Sequence, residues 1–210
     1  MQNKWYGDKH DLVKWGTLIH LADGNPPARI LQVLMLRPDN ERNSSVIENY
    51  PQGHRQHPIS PRVFDHFRCV QNITSLDRRI VIYDEPFPEQ DHGRRQEKRE
   101  RYFGAVCEWI RRFRGKRLVV LVDPDTGIGP INREFKHIAA GELWRLYSAI
   151  KEGDTLVLYQ HTHYREDWLD ARLMEFAKAI RVRKRDVHVF QCLELAGDVA
   201  LFAVNKRCSK

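Results

Sequence analysis

Residues 118–129, LVVLVDPDTGIG, constrain the fold of this chain more than any other segment. They open with five aliphatic residues, and such a run bounded by turn residues is typical of a strand buried on both faces of a parallel sheet. The run stops at DPDTG, residues 123–127, where proline stiffens the turn and glycine permits a left-handed backbone. The segment therefore predicts a buried strand that delivers carboxylates to the edge of a sheet.

The remaining chain alternates short apolar runs with segments of helical spacing, which is the pattern of a parallel sheet covered by helices. We predict strands at 28–36, 79–83, 117–122, 154–159, 186–195 and 198–205, and helices at 11–22, 93–113, 137–150 and 166–180. The last two strands flank a short turn and predict an antiparallel hairpin. We expect one three-layer Rossmann-like α/β domain over residues 1–210, with a mostly parallel sheet and a long polar loop at about 37–62.

Charge is the feature of composition that bears on partners. The formal net charge is +7, and residues 94–117 alone hold ten basic and three acidic side chains. A second basic patch, RVRKR, spans residues 181–185. Concentrated positive charge attracts phosphate backbones, although a solvated helix face is the plainer alternative. We predict DNA as the partner, without excluding RNA, and assign backbone contacts to Arg94, Arg95, Lys98, Arg99 and Arg101.

Several classes of protein do not fit the sequence. No apolar run approaches the roughly 18 residues of a membrane span, and the first 15 residues contain no apolar signal-peptide core. We therefore expect a cytoplasmic protein. The four cysteines are scattered without a CxxC pair, so neither a zinc finger nor a disulfide framework is expected.

Polar and titratable residues follow the predicted strands. Ligands bind at the carboxyl ends of strands in open α/β sheets, so we predict catalytic roles for Asp123, Asp125 and His161. The aspartates could equally cap the next helix, and His161 could be an ordinary loop histidine. Residues at the end of the strand predicted at 154–159, and just after it, are predicted to bind substrate: Tyr159, Gln160, His163 and Arg165.

The N-terminal segment adds a second group of candidate substrate contacts. Tyr6, Asp8, Lys9 and Lys14 surround the start of the first predicted helix. Helix N-termini favour anions, so the two lysines are predicted to meet a phosphate, and Tyr6 could stack on a base. The alternative is a capping segment with solvated charges.

The stretch YGDKHDLVKW, residues 6–15, follows the outline of HAGN-x-ADVLKH, the N-terminus of the ribosomal-RNA adenine methyltransferases. LVVLVDPDTG looks like the strand and DPPY motif of that family, and the C-terminal hairpin is also similar. The resemblance implies a Rossmann-like fold and transfer of a methyl group from S-adenosylmethionine. The chain departs from the family where ILQVLML runs into RPDNERNSS without the glycine-rich donor loop, and where Asp125-Thr126 replace the stacking aromatic residue.

LVDPDTGIGP and LYQHTHYRE also resemble, in their placement, the acidic and histidine loops of the uracil-DNA-glycosylase superfamily, and the DPD-x-G and YQH pattern resembles small antiphage DNA glycosylases. HPISP, residues 57–61, partly matches the HPSP motif of the superfamily but lies upstream of the acidic loop. This resemblance implies a cofactor-free DNA glycosylase that flips a base, normal or modified, out of the helix and takes part in phage defence.

We therefore expect a DNA glycosylase in which an aspartate stabilises the oxocarbenium-like sugar and His161 donates to the departing base. Three alternatives remain open at this point. They are an S-adenosylmethionine-dependent methyltransferase, a nuclease in which Asp84, Asp123 and Asp125 hold Mg²⁺, and a non-catalytic nucleic-acid-binding relative.

Overall fold

A computed structural model describes residues 7–24, 26–35, 70–87, 95–129, 136–162 and 167–207. These residues form a mixed α/β structure, as predicted. The predicted loop at 37–62 and the HPISP segment lie outside the described residues.

Six strands form the main sheet of the described chain, in the order β2-β1-β3-β6-β8-β7. Their bounds are Arg29–Val33 for β1, Ile80–Tyr83 for β2, Leu118–Val122 for β3, Thr155–His161 for β6, Val187–Cys192 for β7 and Gly197–Asn205 for β8. Strands β1, β2, β3 and β6 are parallel, and the β7–β8 hairpin adds the antiparallel pairings. Two short strands, β4 (Gly127–Ile128) and β5 (His137–Ile138), form a separate parallel pair. The mostly parallel sheet is compatible with a Rossmann-like fold.

Four α-helices of more than one turn occur in the described residues. They are α1 (Lys9–Ala22), α2 (Arg95–Arg111), α3 (Ala140–Ala149) and α4 (Trp168–Ala179). A helical turn, Leu193–Ala196, joins β7 to β8, and 3₁₀ turns occupy Val70–Ser75 and Lys184–Asp186. These elements match the predicted helices to within a few residues, but several strand bounds differ. The strand predicted at 154–159 continues to His161, and the strand predicted at 28–36 ends at Val33. The strand predicted at 186–195 ends at Cys192, because Leu193–Ala196 form a helical turn, and His137–Ile138, predicted as helix, form β5.

Side chains of the central strands alternate between two apolar clusters, because successive residues of a strand face opposite sides of a sheet. On β3, Val120 and Val122 pack in a cluster with residues of α2, α3 and α4. Val119 and Leu121 pack in a second cluster with residues of α1. All five residues of β3 are buried, which confirms the buried strand predicted at 117–122.

The order of the strands reverses at β1. The chain passes from β1 to β2 on one side and then to β3 on the other, with Leu31 paired to both Val81 and Val120. In open α/β sheets the crevice at such a reversal, outside the carboxyl ends of the strands, is where ligands bind. The fold therefore indicates a ligand site at the carboxyl ends of β1 and β3.

The described helices include none that is both long and apolar enough to cross a bilayer.

Candidate functional site

A cluster of polar side chains lies at the carboxyl edge of the sheet, on the side covered by α1. Gln32 on β1, Asp123 directly after β3, and Tyr159 on β6 are all buried there. His161 follows two residues later on β6 and is half-buried. The structure thus brings together Asp123, Tyr159 and His161, three of the residues that the sequence predicts for the site.

Lys14 enters this cluster from α1. Only 3% of the residue is exposed, and its Nζ donates to Asp123 Oδ2 at 3.0 Å and lies 2.5 Å from Asp11 Oδ1. Burial by itself would lower the pKa of Lys14, but the carboxylates of Asp11 and Asp123 outweigh it and raise that pKa. The ammonium also lies 5.4 Å from the centre of the Tyr159 ring, a cation–π distance. Lys14 is therefore a buried cation that fixes two carboxylates, an arrangement that does not favour the predicted contact with a phosphate.

Gln32 fixes Asp123 from a second direction. Its Nε2 donates to the same oxygen, Oδ2, at 2.8 Å. The other amide atom, Oε1, is buried and has no hydrogen-bond partner among the described residues, and the same holds for Trp15 Nε1. An unsatisfied buried polar atom costs about 1–3 kcal/mol. Gln32 Oε1 is thus a buried acceptor, next to the fixed carboxylate of Asp123, that a polar ligand could satisfy.

Asp8 explains where α1 begins. Its carboxylate accepts from the backbone N–H groups of His10 at 2.9 Å and Asp11 at 3.1 Å, as an N-cap residue does. The cap orients the first turn so that Asp11, which also accepts from Gly7 N–H at 2.6 Å, reaches Lys14. Burial raises the pKa of Asp11, and Lys14 opposes that rise. The capping alternative for this segment is thus correct for Asp8, and Lys9 is exposed on the surface of α1.

His10 lies between two carboxylates at the rim of the cluster. Its Nδ1 is 2.7 Å from Asp8 Oδ2, and its Nε2 is 3.0 Å from each oxygen of Asp198, at the start of β8. Burial lowers the pKa of His10, but the hydrogen bonds and charges of Asp8 and Asp198 raise it above its ordinary value. The arrangement therefore favours the imidazolium form of His10.

His161 has the opposite electrostatic environment. Burial lowers its pKa, and the charge on His10, whose ring centre is 5.4 Å away, lowers it further. Its Nε2 is 3.0 Å from the hydroxyl of Tyr159, whose pKa is raised by burial. His161 is therefore a neutral imidazole next to a neutral phenol, and it can donate or accept a hydrogen bond at the crevice.

Gln160 has a structural role that differs from the predicted contact with substrate. It is fully buried; its Oε1 accepts from Ile128 N–H at 2.9 Å, and its Nε2 donates to the Thr126 carbonyl at 2.9 Å. Gly127 has φ +103°, and a Cβ at this position would lie 2.1 Å from Gln160 Oε1. The glycine of the DPDTG turn is required by this close approach, and the turn leaves Asp125 half-exposed beside the crevice.

The predicted DNA-backbone residues divide into two groups. Arg99 is only 3% exposed, and its guanidinium donates to both carboxylate oxygens of Glu142 at 2.6 Å, so it joins α2 to α3 and cannot bind a phosphate. Arg101 is exposed and Lys98 is half-buried. The side chains of Tyr6, His163, Arg165, Arg94 and Arg95 lie outside the described residues.

Sequence reasoning missed four members of the cluster: His10, Asp11, Gln32 and Asp198. Gln32 is the single polar residue of an otherwise apolar strand, ILQVL, and that interruption is the only sequence signal of its role in the site. Asp198 lies 188 residues from His10 in the chain, and only the pairing of β8 with β6 brings them together.

Among the described residues, no three or more His, Cys, Asp or Glu side chains are arranged to hold a metal ion. The fold and the polar cluster together define an α/β protein with a buried polar site where the strand order of the sheet reverses. No family model, curated protein or solved structure matches this chain.

Proposed function

We propose that this protein is a DNA glycosylase that works without a cofactor and hydrolyses the N-glycosidic bond of a flipped base to leave an abasic site. The proposal includes a three-layer Rossmann-like domain, with α1 on one face of the sheet and α2, α3 and α4 on the other. The observation that carries it is the fixed carboxylate of Asp123, held by Lys14 and Gln32 at the same edge of the sheet as His161, the last residue of β6.

Asp123 is the proposed stabilising carboxylate of glycosidic cleavage. Loss of the base gives the sugar oxocarbenium character, which a nearby carboxylate stabilises. Lys14 and Gln32 both donate to Oδ2, so that Oδ1 is left for the sugar or for the attacking water. Water adds to C1′, the electrons of the glycosidic bond leave with the base, and the proton of the water passes to the carboxylate. Asp125, half-exposed two residues later, is the second candidate for this role.

His161 and the unpaired Oε1 atom of Gln32 are the proposed contacts of the departing base. A neutral imidazole N–H can donate to the developing negative charge on a base without competing for the cation-stabilising carboxylate. Gln32 Oε1 accepts from an N–H of the flipped base, which would satisfy the buried atom. Exposed arginines of α2 and the following turn, Arg101 and Arg112, then hold the phosphates.

The test is incubation of the purified protein with EDTA and oligonucleotides of normal or modified bases, followed by alkali, which breaks the strand at abasic sites. We expect cleavage by the wild type, and a loss of about 10²-fold or more in Asp123→Asn or His161→Gln. Glu152→Gln, an exposed carboxylate at the amino end of β6, is the control and should retain full activity. Asp125→Asn tests the second candidate in the same assay.

Circular dichroism of Asp123→Asn is needed beside the assay, because Asp123 is also the partner of a buried lysine. His161→Gln avoids that complication, since His161 forms no ion pair among the described residues. Strand breaks that survive in both variants would refute the assigned chemistry. An absence of breaks on every base tested would refute the glycosylase proposal for those bases.

Methyl transfer is the second candidate, and one contact favours it. Lys14 and Asp123 belong to the two segments that resemble the ribosomal-RNA adenine methyltransferases, and they meet at 3.0 Å. A carboxylate at this position could accept from the amino group of a target base. Calorimetric titration with S-adenosylmethionine separates the candidates, because only a methyltransferase requires that binding.

A further inference from the structure

A cavity of about 760 Å³ opens at the carboxyl end of β2, between that strand and α2. This volume is within the usual range of roughly 300–1,000 Å³ for ligand pockets. Three aromatic side chains line it, namely Tyr83, Tyr102 and Trp109. The Tyr83 and Trp109 rings meet edge to face, with centres 5.3 Å apart, and Trp109 is half-buried. Tyr83 and Tyr102 are buried, so Trp109 is the ring that offers aromatic surface to a planar ligand.

Charges of both signs line the cavity. Lys98, Arg101 and Glu108 line it from α2, Arg112 from the turn after α2, and Asp84 and Glu85 from the end of β2. Arg112 has no carboxylate partner among the described residues, and Asp84 and Glu85 have no cationic partner there. Exposed charges of both signs that stay unpaired a short distance apart favour a ligand with an anionic end and a hydrogen-donating end.

We propose that this cavity binds a nucleotide of the same DNA strand, flanking the base on which the crevice acts, and that its base carries an exocyclic amino group. The inference rests on the proposed function. The base stacks on the aromatic side chains, and the phosphate meets Arg112 and its neighbours on α2. The amino group donates to Asp84 or Glu85, as the N4 amino group of cytosine does to carboxylates. Thymine has no amino group to offer.

The cavity lies against α2 on one face of the sheet, whereas Asp123 contacts Lys14 of α1 on the other face, so a strand that joins them passes over the carboxyl edge. Tyr83 pairs with Val33 on β1, and Val33 pairs with Val122, the residue before Asp123. Neighbouring strands lie about 4.8 Å apart, so the ends of β2 and β3 are about 10 Å apart. With a rise of about 3.4 Å per stacked nucleotide, the flanking nucleotide is therefore at least about three positions from the flipped base.

The experiment combines affinity with photo-crosslinking. Fluorescence anisotropy of labelled dC12 and dT12 gives the dissociation constants, and we expect dC12 to bind more tightly. Arg112→Ala should weaken dC12 binding about tenfold, because it removes a charged hydrogen bond. Arg114→Ala, equally exposed but not lining the cavity, should change it less than about twofold. The double variant Asp84→Asn/Glu85→Gln should abolish the preference for dC12.

A dC12 strand carrying 5-iododeoxycytidine then locates the base. Irradiation should give a crosslinked peptide containing Tyr83, Tyr102 or Trp109, identified by mass spectrometry. Crosslinks found only elsewhere, or equal losses in Arg112→Ala and Arg114→Ala, would overturn the inference. Neither readout requires cleavage of the N-glycosidic bond. Abasic sites without these crosslinks would contradict only the proposed role of the cavity. Crosslinks without abasic sites would contradict only the proposed glycosylase activity.

Discussion

At the scale of single residues, His10 and His161 show how neighbouring imidazoles are driven to different protonation states. Two carboxylates raise the pKa of His10, whereas burial and the charge of His10 lower the pKa of His161. Interacting pairs of this kind divide the roles of charged and neutral imidazole between them. In the proposed reaction, the neutral His161 faces the base and the charged His10 holds the start of β8 against α1 through Asp198.

We expect the pKa of His10 to exceed its ordinary value of about 6.5 and to fall toward it in Asp198→Asn. A raised pKa in the folded state stabilises the protein below pH 6.5, and this contribution is lost as the pH rises through the folded-state pKa. NMR titration of the ring protons, assigned with His10→Gln, measures the pKa. Asp170→Asn, whose carboxylate pairs with Lys184, should leave the titration unchanged. An unchanged pKa in Asp198→Asn would contradict this account.

The sequence permitted part of the site to be predicted at this scale. Asp123 and His161 were accessible because each follows a strongly apolar run, and strand ends in a parallel sheet converge. Lys14 was placed near the site for the wrong reason, since a lysine beside a helix start gives no sign that it is buried with carboxylates. Its burial depends on which face of α1 meets the sheet, and that is decided by packing across the whole fold.

At the scale of elements, the turn after β3 is held by a neighbouring strand. Gln160 on β6 bonds to the backbone of Thr126 and Ile128, and this contact is possible only because Gly127 lacks a side chain. The turn thereby keeps Asp123 and Asp125 at the crevice. Sequence patterns predicted the strand and the need for glycine, but they could not distinguish a scaffold glutamine from one that contacts substrate.

Gly127→Ala should destabilise the protein by about 3–4 kcal/mol, from a left-handed alanine of about 1–2 kcal/mol and from two displaced hydrogen bonds of about 1 kcal/mol each. Urea unfolding measures this difference. Gly153→Ala is the matched control, because Gly153 also has positive φ, +83°, but its added Cβ meets nothing within 4 Å. The control should lose only the backbone contribution. Equal losses in both variants would show that the contact with Gln160 carries no energy.

For helix α2 as well, the sequence pattern predicted the charge, but only the packing determines which of its charged side chains are exposed. Its basic composition was clear from the sequence, yet Arg99 is buried against Glu142 and Arg101 is exposed. Charge alone does not reveal which face of a helix meets the protein. The apolar stripe through Tyr102, Val106 and Ile110 sets that face, and Arg99 lies on its edge, one turn before Tyr102 and Phe103.

At the scale of the whole molecule, the buried ion group of Asp11, Lys14 and Asp123 connects the N-terminal helix to the centre of the sheet. Lys14 and Asp123 are 109 residues apart in the chain, and both side chains are less than 5% exposed. Removing one member of a buried ion group leaves the others as uncompensated charges. The same three residues thus position the candidate carboxylate and tie α1 to the sheet, so stability and activity are coupled there.

Lys14→Met should therefore lower the free energy of unfolding by about 3–5 kcal/mol, because Asp11 and Asp123 would remain buried without their cation. Adding Asp11→Asn and Asp123→Asn should recover most of this loss by removing the charges. Lys184→Met is the control: Lys184 pairs with Asp170 on the surface, where an ion pair contributes at most about 1 kcal/mol. Urea unfolding at pH 7 measures all three variants. A loss below about 1 kcal/mol in Lys14→Met would mean that water reaches the group and that Asp123 is not held by a buried charge.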